Sequence, residues 1–393
     1  MSRKQFLWVS PEPPWSQWSN SGFIRSICLE LKNRGLLYGA FSPKESSLLT
    51  LRGPGVAYDL RRRIANRIFP THISSERMNV DESSGLLGKV LRNLSSESFA
   101  IYQYMYPKID RSLKHTRLLF QDITVREAVE TASYEYKSLS RNEIAAKIDE
   151  QKKGLEDADG VITFSNYAAD SIVEEYGFPR EKIVAIGARP VRSPRHVKFD
   201  LDRYAQGRLL FIGRQWERKG GPMLLEAFKI VRDQVPHATL TIAGAQIDPP
   251  NQDGVHYLGS VSNQQIAQLF AKSSIFSMPA RCETWGLVYT EAAASGLPIL
   301  GFSAWAMPDI VKTGVSGILL GEQSAEALAH ALIGLLREPE RMASMGRAAQ
   351  SYMQSTLDWP HVVDRLVAKF MPDALDGRSA VWMNEISPRS RKS

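Results

Sequence analysis

The chain has 393 residues, enough for two or three domains of about 150 residues each. Hydrophobic residues make up 43% of it and charged residues 23%, which excludes a disordered chain. Two cysteines exclude a disulfide scaffold and a cysteine-based metal cluster, and they fit a reducing cytoplasmic setting. The net charge of +7 is too small to indicate a nucleic-acid-binding protein, so we do not expect nucleic acid as a partner. A phosphate-bearing ligand and an anionic membrane face are both compatible with this charge.

The apolar runs of the sequence are too short for a signal peptide or a membrane span. The run at 6–9 is followed closely by Pro11, and no uncharged apolar stretch approaches the roughly 18 residues of a span. The segment 60–69 is basic and partly amphipathic, which suits a solvated helix face and also contact with anionic lipid or a lipid-diphosphate acceptor. We therefore expect a cytoplasmic protein, and peripheral contact with the inner face of the cytoplasmic membrane stays an open alternative.

Short apolar strands alternate with helical patterns along the whole chain. In the first half we predict strands at 6–10, 36–41, 99–106, 118–120, 160–165 and 183–186, and helices at 21–34 and 166–176. In the second half we predict strands at 208–213, 238–244, 255–259, 275–278 and 298–302, and helices at 222–234, 263–272, 288–295, 325–336 and 339–354. Such alternation is typical of parallel sheets covered by helices on both faces.

The predicted fold class is α/β, with two Rossmann-like domains and a cleft between them. A stretch rich in Pro, Arg and Ser near 189–203 indicates a linker, which divides the chain into domains at 1–190 and 191–355. A helix is predicted at 356–371, and we expect the basic tail 372–393 to be mostly disordered. Because ligands bind outside the carboxyl ends of parallel strands, two facing sheets place the ligand between the domains.

A basic loop is predicted between the strand 208–213 and the helix that follows it. Its sequence is Gly213-Arg214-Gln215-Trp216-Glu217-Arg218-Lys219-Gly220-Gly221. Arg214 can bind two phosphate oxygens through its planar guanidinium and Lys219 adds a point charge, so the two side chains suit a diphosphate. A turn with solvated basic residues is the alternative, and for this motif alone it is the more common case.

Two glutamates flank the start of a later predicted helix. Glu283 lies in the loop after the strand 275–278, and Glu291 lies about one and a half turns inside the helix that opens near Gly286. Backbone N–H groups at a helix start can bind an anion, and a carboxylate such as Glu291 can accept hydrogen bonds from ribose hydroxyls. The alternative makes Glu283 a surface carboxylate and Glu291 a partner of the helix dipole.

In this order, the two motifs resemble those of the retaining glycosyltransferases of family four, which have the GT-B fold. The family signature E-x7-E corresponds to Glu283 and Glu291, followed by small residues and by Gly296-Leu297-Pro298. The runs at 257–261 and 308–317 and the strand at 158–165 are also similar to the family. The resemblance covers about 158–320 and is weak over the first 150 residues, where this family usually recognises its acceptors.

The resemblance implies a catalytic set of Glu283, Arg214, Lys219 and Asp122. Arg214 and Lys219 neutralise the donor diphosphate and so stabilise the leaving group. Glu283 contacts the transferred sugar. The family often has a His-Asp pair where this chain has Gln121-Asp122, and Gln121 cannot move a proton. Front-face displacement in this family needs no protein nucleophile, and basic residues take the place of a divalent ion, so we expect no metal and no other cofactor.

The resemblance also implies where the donor and the acceptor bind, and how the chain ends. Besides the two cations at the diphosphate, Glu291 is expected to bind the ribose, backbone N–H groups at 285–287 the sugar or the phosphates, and the loop 259–261 to lie near the base. The donor-binding residues are thus Arg214, Lys219, Gly259, Val261, Trp285, Gly286, Leu287 and Glu291. In the first domain the usual glycine-rich loop is replaced by one with a single glycine. Trp15 and Trp18 of this loop can stack on a sugar or anchor the helix. The acceptor candidates are Trp15, Trp18, Asn20 and Gly22 of the loop and Tyr104 of the predicted strand 99–106, for which core or cross-strand packing is the more common alternative. The last helix of GT-B relatives crosses back to the first domain.

These expectations combine into one predicted function. The chain moves a sugar from a nucleotide-diphosphate donor to a glycan or lipid-linked acceptor with retention of configuration, in the synthesis of a bacterial surface polysaccharide or lipopolysaccharide. Another GT-B enzyme that acts on nucleotide sugars, such as an epimerase or a hydrolase, is one alternative. A non-catalytic protein that keeps the fold and binds a glycan or a partner is the other.

Overall fold

The computed structural model describes residues 4–11, 22–42, 47–49, 81–83, 85–131, 136, 138–190, 194, 197–247 and 251–375. The acceptor candidates Trp15, Trp18 and Asn20, the basic segment 60–69 and the tail beyond residue 375 lie outside the described residues. The chain divides into two compact units. Unit 1 comprises Met1–Thr163, Asp170–Val184 and Leu366–Ser393, and unit 2 comprises Phe164–Ala169 and Ala185–Arg365.

Unit 1 is built on a seven-stranded sheet. In chain order the strands are β1 (Phe6–Val9), β2 (Leu37–Ser42), β3 (Ser47–Leu49), β4 (Phe99–Gln103), β5 (Thr116–Phe120), β6 (Gly160–Thr163) and β7 (Ile183–Ala185). They lie side by side in the order β3-β2-β1-β4-β5-β6-β7, with β3 antiparallel to β2 and the neighbours from β2 to β6 parallel. All four residues of β1 are fully buried, as expected for a strand covered on both faces.

The helices of this half of the chain are α1 (Phe23–Asn33), α2 (Gly85–Arg92), α3 (Val125–Glu130), α4 (Arg141–Glu156) and α5 (Asn166–Tyr176). Helix α1 buries one face, formed by Phe23, Ile24, Ile27, Cys28 and Leu31. Helices α3 and α4 each begin with a capping box, at Thr124 and at Ser140. The strand predicted at 99–106 is wrong beyond Gln103, because Tyr104 has a φ of 53° and ends the extended backbone.

Unit 2 contains a six-stranded sheet whose neighbouring strands are all parallel. Its strands are β8 (Arg208–Ile212), β9 (Thr239–Ala243), β10 (Val255–Tyr257), β11 (Ile275–Ser277), β12 (Ile299–Phe302) and β13 (Gly317–Leu320). The order across the sheet is β10-β9-β8-β11-β12-β13. The direction of winding therefore reverses between β8 and β11, and in sheets of this kind the crevice for a ligand opens at the carboxyl ends of those two strands.

The helices that follow the linker are α6 (Leu201–Ala205), α7 (Gly221–Gln234), α8 (Asn263–Lys272), α9 (Leu287–Ala294), α10 (Met307–Ile310), α11 (Ala325–Leu336) and α12 (Pro339–Thr356). The elements predicted for this half are confirmed to within about two residues at each end. Pro222 occupies the first turn of α7, where a missing backbone N–H leaves no hydrogen bond unmade.

The last helix, α13 (Trp359–Phe370), ends in unit 1. There the Phe370 ring lies 6.2 Å from the Phe99 ring and packs beside Gly160. The prediction of an α/β fold with two Rossmann-like units and a final helix that ends on the first is confirmed, while the predicted domain bounds stay a prediction. Within the described ranges, every helix falls short of the combined length and hydropathy that a bilayer crossing requires.

Candidate active site

Two loops of unit 2 meet where the winding of its sheet reverses. Loop A, residues 213–220, follows β8, and loop B, residues 278–286, follows β11. Gly220 has a φ of 75°, and a Cβ atom there would collide with the Pro279 carbonyl oxygen. The close approach of the two loops therefore needs glycine at position 220.

Arg218 of loop A is hydrogen-bonded to loop B. Its Nη1 atom donates to the Cys282 carbonyl oxygen, and its Nε atom donates to Gln215 Oε1 within loop A. The Arg218 carbonyl oxygen accepts a hydrogen bond from the Arg281 N–H at 3.0 Å. The guanidinium also lies 4.0 Å from the Glu283 carboxylate. One residue thus fixes the backbone of one loop against the backbone of the other.

Lys219 and Glu283 form an ion pair across the two loops. Both side chains are largely buried, with 12% of Lys219 and 9% of Glu283 exposed. The sequence motifs predicted a site containing both residues, and the structure brings them together. A pair buried to this extent is screened little by salt, so its charges act strongly on a ligand and on each other.

The charge state of Lys219 is set by opposing effects. Burial lowers the pKa of Lys219 to about 7, and the nearby Arg218 guanidinium acts in the same direction. Cys282 acts in the opposite direction. The Glu283 carboxylate also opposes the lowering, because a neighbouring negative charge stabilises the ammonium. Lys219 is thus a cation that can lose its proton near neutral pH, and an anionic ligand bound beside it would favour the charged form.

The position of Glu283 is fixed by a backbone hydrogen bond and by close packing against Gly286. The Ala306 N–H donates to the Glu283 carbonyl oxygen at 3.3 Å, which ties loop B to the chain after β12. Gly286 has a φ of 75°, and a Cβ atom there would lie 2.7 Å from Glu283 Cγ. A larger residue at position 286 would therefore displace the glutamate side chain.

Trp285 fastens the end of loop B. Its indole Nε1 donates to the Ala188 carbonyl oxygen at 3.1 Å, and its ring lies 6.2 Å from the Phe164 ring. The side chain is 3% exposed, so its role in the structure is that of a buried anchor. Only the backbone of Trp285 was predicted to contact the donor, and the side-chain contacts leave that prediction untested.

The start of α9 provides backbone donors beside Glu283. Gly286 is the cap residue, and the first turn of any helix has N–H groups without partners inside the helix, which can bind an anion. Gly286 and Leu287 are partly exposed, whereas Glu291 is buried with 1% exposure. The N–H and Oγ of Ser295 both donate to the Glu291 carbonyl oxygen, at 3.0 and 2.8 Å.

The other predicted donor residues lie on loops after β8 and β10. Arg214 is exposed, and among the described residues it forms no ion pair, so its guanidinium is available to a ligand. Gly259 has a φ of 57°, and its carbonyl oxygen accepts from the Gly244 N–H at 2.6 Å. Gly259 and Val261 are partly exposed. Nothing in the structure tests the predicted contact of this loop with a base.

The remaining candidates lie in unit 1. Asp122 follows β5 and is partly buried, and Gln121 before it is buried and accepts a hydrogen bond from the Tyr106 hydroxyl at 3.1 Å. Gly22 caps α1 with a φ of 85°. The Tyr104 ring lies edge-on to Phe120, with centroids 5.8 Å apart. The roles predicted for Asp122, Gly22 and Tyr104 stay predictions.

Arg218 is the main residue that the sequence motifs missed. It lies between Arg214 and Lys219, and a linear motif does not show which residue of a loop faces a neighbouring loop. Its position next to Lys219 was the available signal.

No group of three or more His, Cys, Asp or Glu side chains that could hold a metal occurs in the described part of the chain. The sequence contains two Asp-x-Asp motifs, and in each of them an aspartate side chain accepts a hydrogen bond from a backbone N–H group. Asp159 Oδ2 accepts from the Arg117 N–H at 2.8 Å, and Asp200 caps α6 through the Asp202 N–H. The expected absence of a metal ion stays a prediction.

Residues 206–338 match the protein family described as Glycosyl transferases group 1. The D-inositol 3-phosphate glycosyltransferase of Gordonia bronchialis is 24% identical over 62% of this chain and 60% of its own length. The GDP-mannose-dependent monoacylated alpha-(1-6)-phosphatidylinositol monomannoside mannosyltransferase of Corynebacterium glutamicum is 30% identical over 38% of this chain and 43% of its own length. The chain thus spans 60% or less of these curated relatives.

Solved structures of low sequence identity share the fold. The sucrose-phosphate synthase of Thermosynechococcus elongatus is 15% identical, with a TM-score of 0.61 over 92% of this chain and 97% of its own. Anabaena Alr3699/HepE in complex with UDP is 14% identical, with a TM-score of 0.58 over 94% of this chain and all of its own. The prediction of a GT-B fold is confirmed. The chain therefore has the GT-B fold, and its residues 206–338 are similar to the group 1 glycosyl transferase domain.

Proposed function

We propose that this chain is a retaining glycosyltransferase that transfers a sugar from a nucleotide-diphosphate donor to a glycan or lipid-linked acceptor without a metal ion. The observation that carries the proposal is the Lys219–Glu283 pair at the carboxyl ends of β8 and β11, next to the open helix start at Gly286. A cation, a carboxylate and the backbone N–H groups of a helix start thus meet at the crevice where such sheets bind nucleotides.

The donor diphosphate is bound by positive charge. Lys219 supplies a buried ammonium and Arg214 an exposed guanidinium that can bind two oxygens at once. Both interactions strengthen as the bond between the sugar and the phosphate breaks, because negative charge grows on the departing oxygen. The basic residues accelerate the step by stabilising this leaving group.

Glu283 orients the sugar. A carboxylate accepts hydrogen bonds from sugar hydroxyls, and its position beside Lys219 places the sugar next to the bond that breaks. The acceptor hydroxyl attacks the anomeric carbon from the face that the diphosphate leaves, and its proton passes to the departing phosphate oxygen. Glu291 binds the ribose hydroxyls of the donor, and Asp122 lies on the acceptor side.

The comparisons support a nucleotide-sugar substrate and leave its identity open. The printed names of relatives include a GDP-mannose-dependent mannosyltransferase, and the solved structures include complexes with UDP and UDP-glucose. We propose a role in bacterial surface polysaccharide or lipopolysaccharide synthesis, in the cytoplasm or at the inner face of the membrane. The lipid-linked acceptor of this setting would require membrane contact.

A thermal-shift panel of UDP, GDP, ADP and their common sugar conjugates tests donor binding first. A ligand that binds only the folded state raises the Tm. We expect a shift for one nucleotide, lost in Lys219→Ala and kept in Lys229→Ala, an exposed lysine on α7. A wild-type protein that binds no nucleotide would contradict the proposal and favour a non-catalytic binding protein.

Product analysis then tests the reaction. NMR of the transferred sugar shows whether its anomeric configuration matches that of the donor. An inverted product would contradict retention. Release of free sugar with no acceptor product would favour a hydrolase.

A further inference from the structure

We infer that Arg218 is a positioning residue of the donor site: it fixes loop B against loop A and so determines how Glu283 and Lys219 meet the donor. This inference rests on the proposed function of the same site. The Nε and Nη1 atoms of Arg218 donate to groups of the protein, so we give Arg218 no direct contact with the donor.

The geometry is that of a clamp with attachments on both loops. The guanidinium joins Gln215 of loop A to the Cys282 carbonyl of loop B, which directly precedes Glu283. The Arg218 carbonyl oxygen accepts from the Arg281 N–H, so the clamp holds loop B at two successive residues. Moving the Cys282 peptide would move Glu283 with it.

An arginine is suited to this place for a physical reason. Its planar fork presents several N–H donors at fixed angles, so one side chain can bind two acceptors that lie on different loops. A lysine keeps the charge but has a single ammonium at the end of a flexible chain. A glutamine can donate hydrogen bonds but carries no charge. These differences separate the two roles of Arg218, positioning and charge.

The charge of Arg218 also acts on Lys219. Among the described residues, the groups that act on the charge of Lys219 are Arg218, Cys282 and Glu283. Arg218 lowers the pKa of Lys219 and Cys282 raises it. The Glu283 carboxylate of the ion pair also favours the charged ammonium. Removing the guanidinium therefore raises the pKa of Lys219. A loss of packing that exposes Lys219 to water would raise this pKa as well. Arg218→Lys, which keeps the charge but loses the fork, separates the two effects.

The first experiment measures Lys219 in the ligand-free protein. The rate at which its amine is acetylated, followed by mass spectrometry between pH 5.5 and 9.5, gives its pKa. We expect a midpoint near 7 in the wild type, a higher midpoint in Arg218→Gln and little change in Arg218→Lys. Arg141→Gln, an exposed arginine at the start of α4, is the matched control and should leave the midpoint unchanged. An equal midpoint in Arg218→Gln and wild type would overturn the inference.

The second experiment measures kcat and donor KM with the nucleotide sugar that the thermal-shift panel selects. We expect kcat to fall about tenfold or more in both Arg218→Lys and Arg218→Gln, because neither keeps both hydrogen bonds of the fork. Wild-type kcat in both variants would overturn the positioning role. If Arg218→Gln does not fold, Arg218→Lys alone decides this point.

The two experiments separate the inference from the proposed function. A wild-type protein without donor binding, but with the expected shift of the Lys219 midpoint in Arg218→Gln, would retain the link between Arg218 and Lys219 and reject the glycosyltransferase proposal. Wild-type turnover in both Arg218 variants would instead keep the glycosyltransferase proposal and reject the positioning role of Arg218.

Discussion

The Lys219 ammonium and the Glu283 carboxylate form a largely buried ion pair, although they lie on loops that follow different strands. In the absence of a donor each residue satisfies the charge of the other. A bound donor would offer its diphosphate to Lys219 and its sugar hydroxyls to Glu283. The contacts with the ligand would thus replace the ion pair, so that each charged group keeps a polar partner in the low-dielectric site.

Removing either member should therefore weaken more than one contact. We expect Lys219→Ala to abolish turnover and Glu283→Gln to lower kcat by about 10²-fold, because each variant removes a group that acts on the charge developing in the transition state. Steady-state kinetics of the two single variants check this. Near-wild-type kcat in either variant would contradict the role of that residue.

The pH dependence of the reaction should show the loss of the Lys219 proton. Since its pKa lies at about 7 in the free protein, kcat/KM for the donor should fall as the pH rises above 7 and the ammonium loses its proton. The fall in kcat should occur at higher pH, because a bound diphosphate stabilises the ammonium and raises its pKa. Lys219→Arg carries a permanent charge and should lose the fall near neutrality. A fall at the same pH in that variant would assign the titration to another group.

Glu291 should matter for donor binding despite its burial. It is 1% exposed and lies within α9, one turn beyond the helix start. We expect Glu291→Ala to abolish turnover, and Glu291→Gln to raise donor KM more than it lowers kcat, because the amide keeps the size and one hydrogen-bond acceptor. Glu326→Gln, an exposed glutamate in the first turn of α11, is the control. Near-wild-type kinetics of Glu291→Ala would contradict the role at the ribose.

The fold of the second half followed from the sequence because its local signals agree with one another. Apolar strands, glycine turns and helix patterns alternate without long interruptions, as at β8 (Arg208–Ile212), Gly220 and α7 (Gly221–Gln234). In the first half the signals are weaker. Helix α4 buries only Gln151 and Leu155, so it lacks the continuous apolar stripe by which a helix is recognised. Its capping box at Ser140 was the one clear mark of its start.

The candidate site could be predicted where residue types recur at a fixed spacing, as Lys219, Glu283 and Glu291 do. The structure brings Lys219 and Glu283 together, and the role of Glu291 stays a prediction. The role of Arg218 depends on a hydrogen bond to the Cys282 carbonyl, and a backbone acceptor leaves no trace in the residue types. The anchoring of Trp285 on the Ala188 carbonyl escapes detection for the same reason.

Metal removal offers a direct test of the proposed chemistry. Because basic side chains and backbone donors are proposed to neutralise the diphosphate, excess EDTA should leave the transfer rate unchanged, and added Mg²⁺ or Mn²⁺ should not raise it. Initial rates before and after chelation measure this. A rate lost in EDTA and restored by one divalent ion would instead require a metal at the phosphates.

The stability of unit 1 should fall in acid because of Glu82. This carboxylate is fully buried and accepts hydrogen bonds from Tyr102 at 2.6 Å and from Arg117 at 2.7 Å. Burial raises its pKa, but the hydrogen bonds from His115, Arg117 and Tyr102 outweigh burial and lower the pKa to about 2. A carboxyl whose pKa is lower in the folded state stabilises the protein above its ordinary pKa, and that contribution is lost as the pH falls from about 4.5 towards 2.

Glu82→Gln should separate this effect from general acid sensitivity. At pH 7 we expect a loss on the order of 3 kcal/mol, because the largely buried Arg117 guanidinium is left without its carboxylate. Between pH 4.5 and pH 2 the variant should lose less stability than the wild type, since the titrating group is gone. Urea unfolding at a series of pH values measures both, with Glu97→Gln at an exposed position as the control. An equal loss of stability with acid in Glu82→Gln and wild type would show that another carboxylate is responsible.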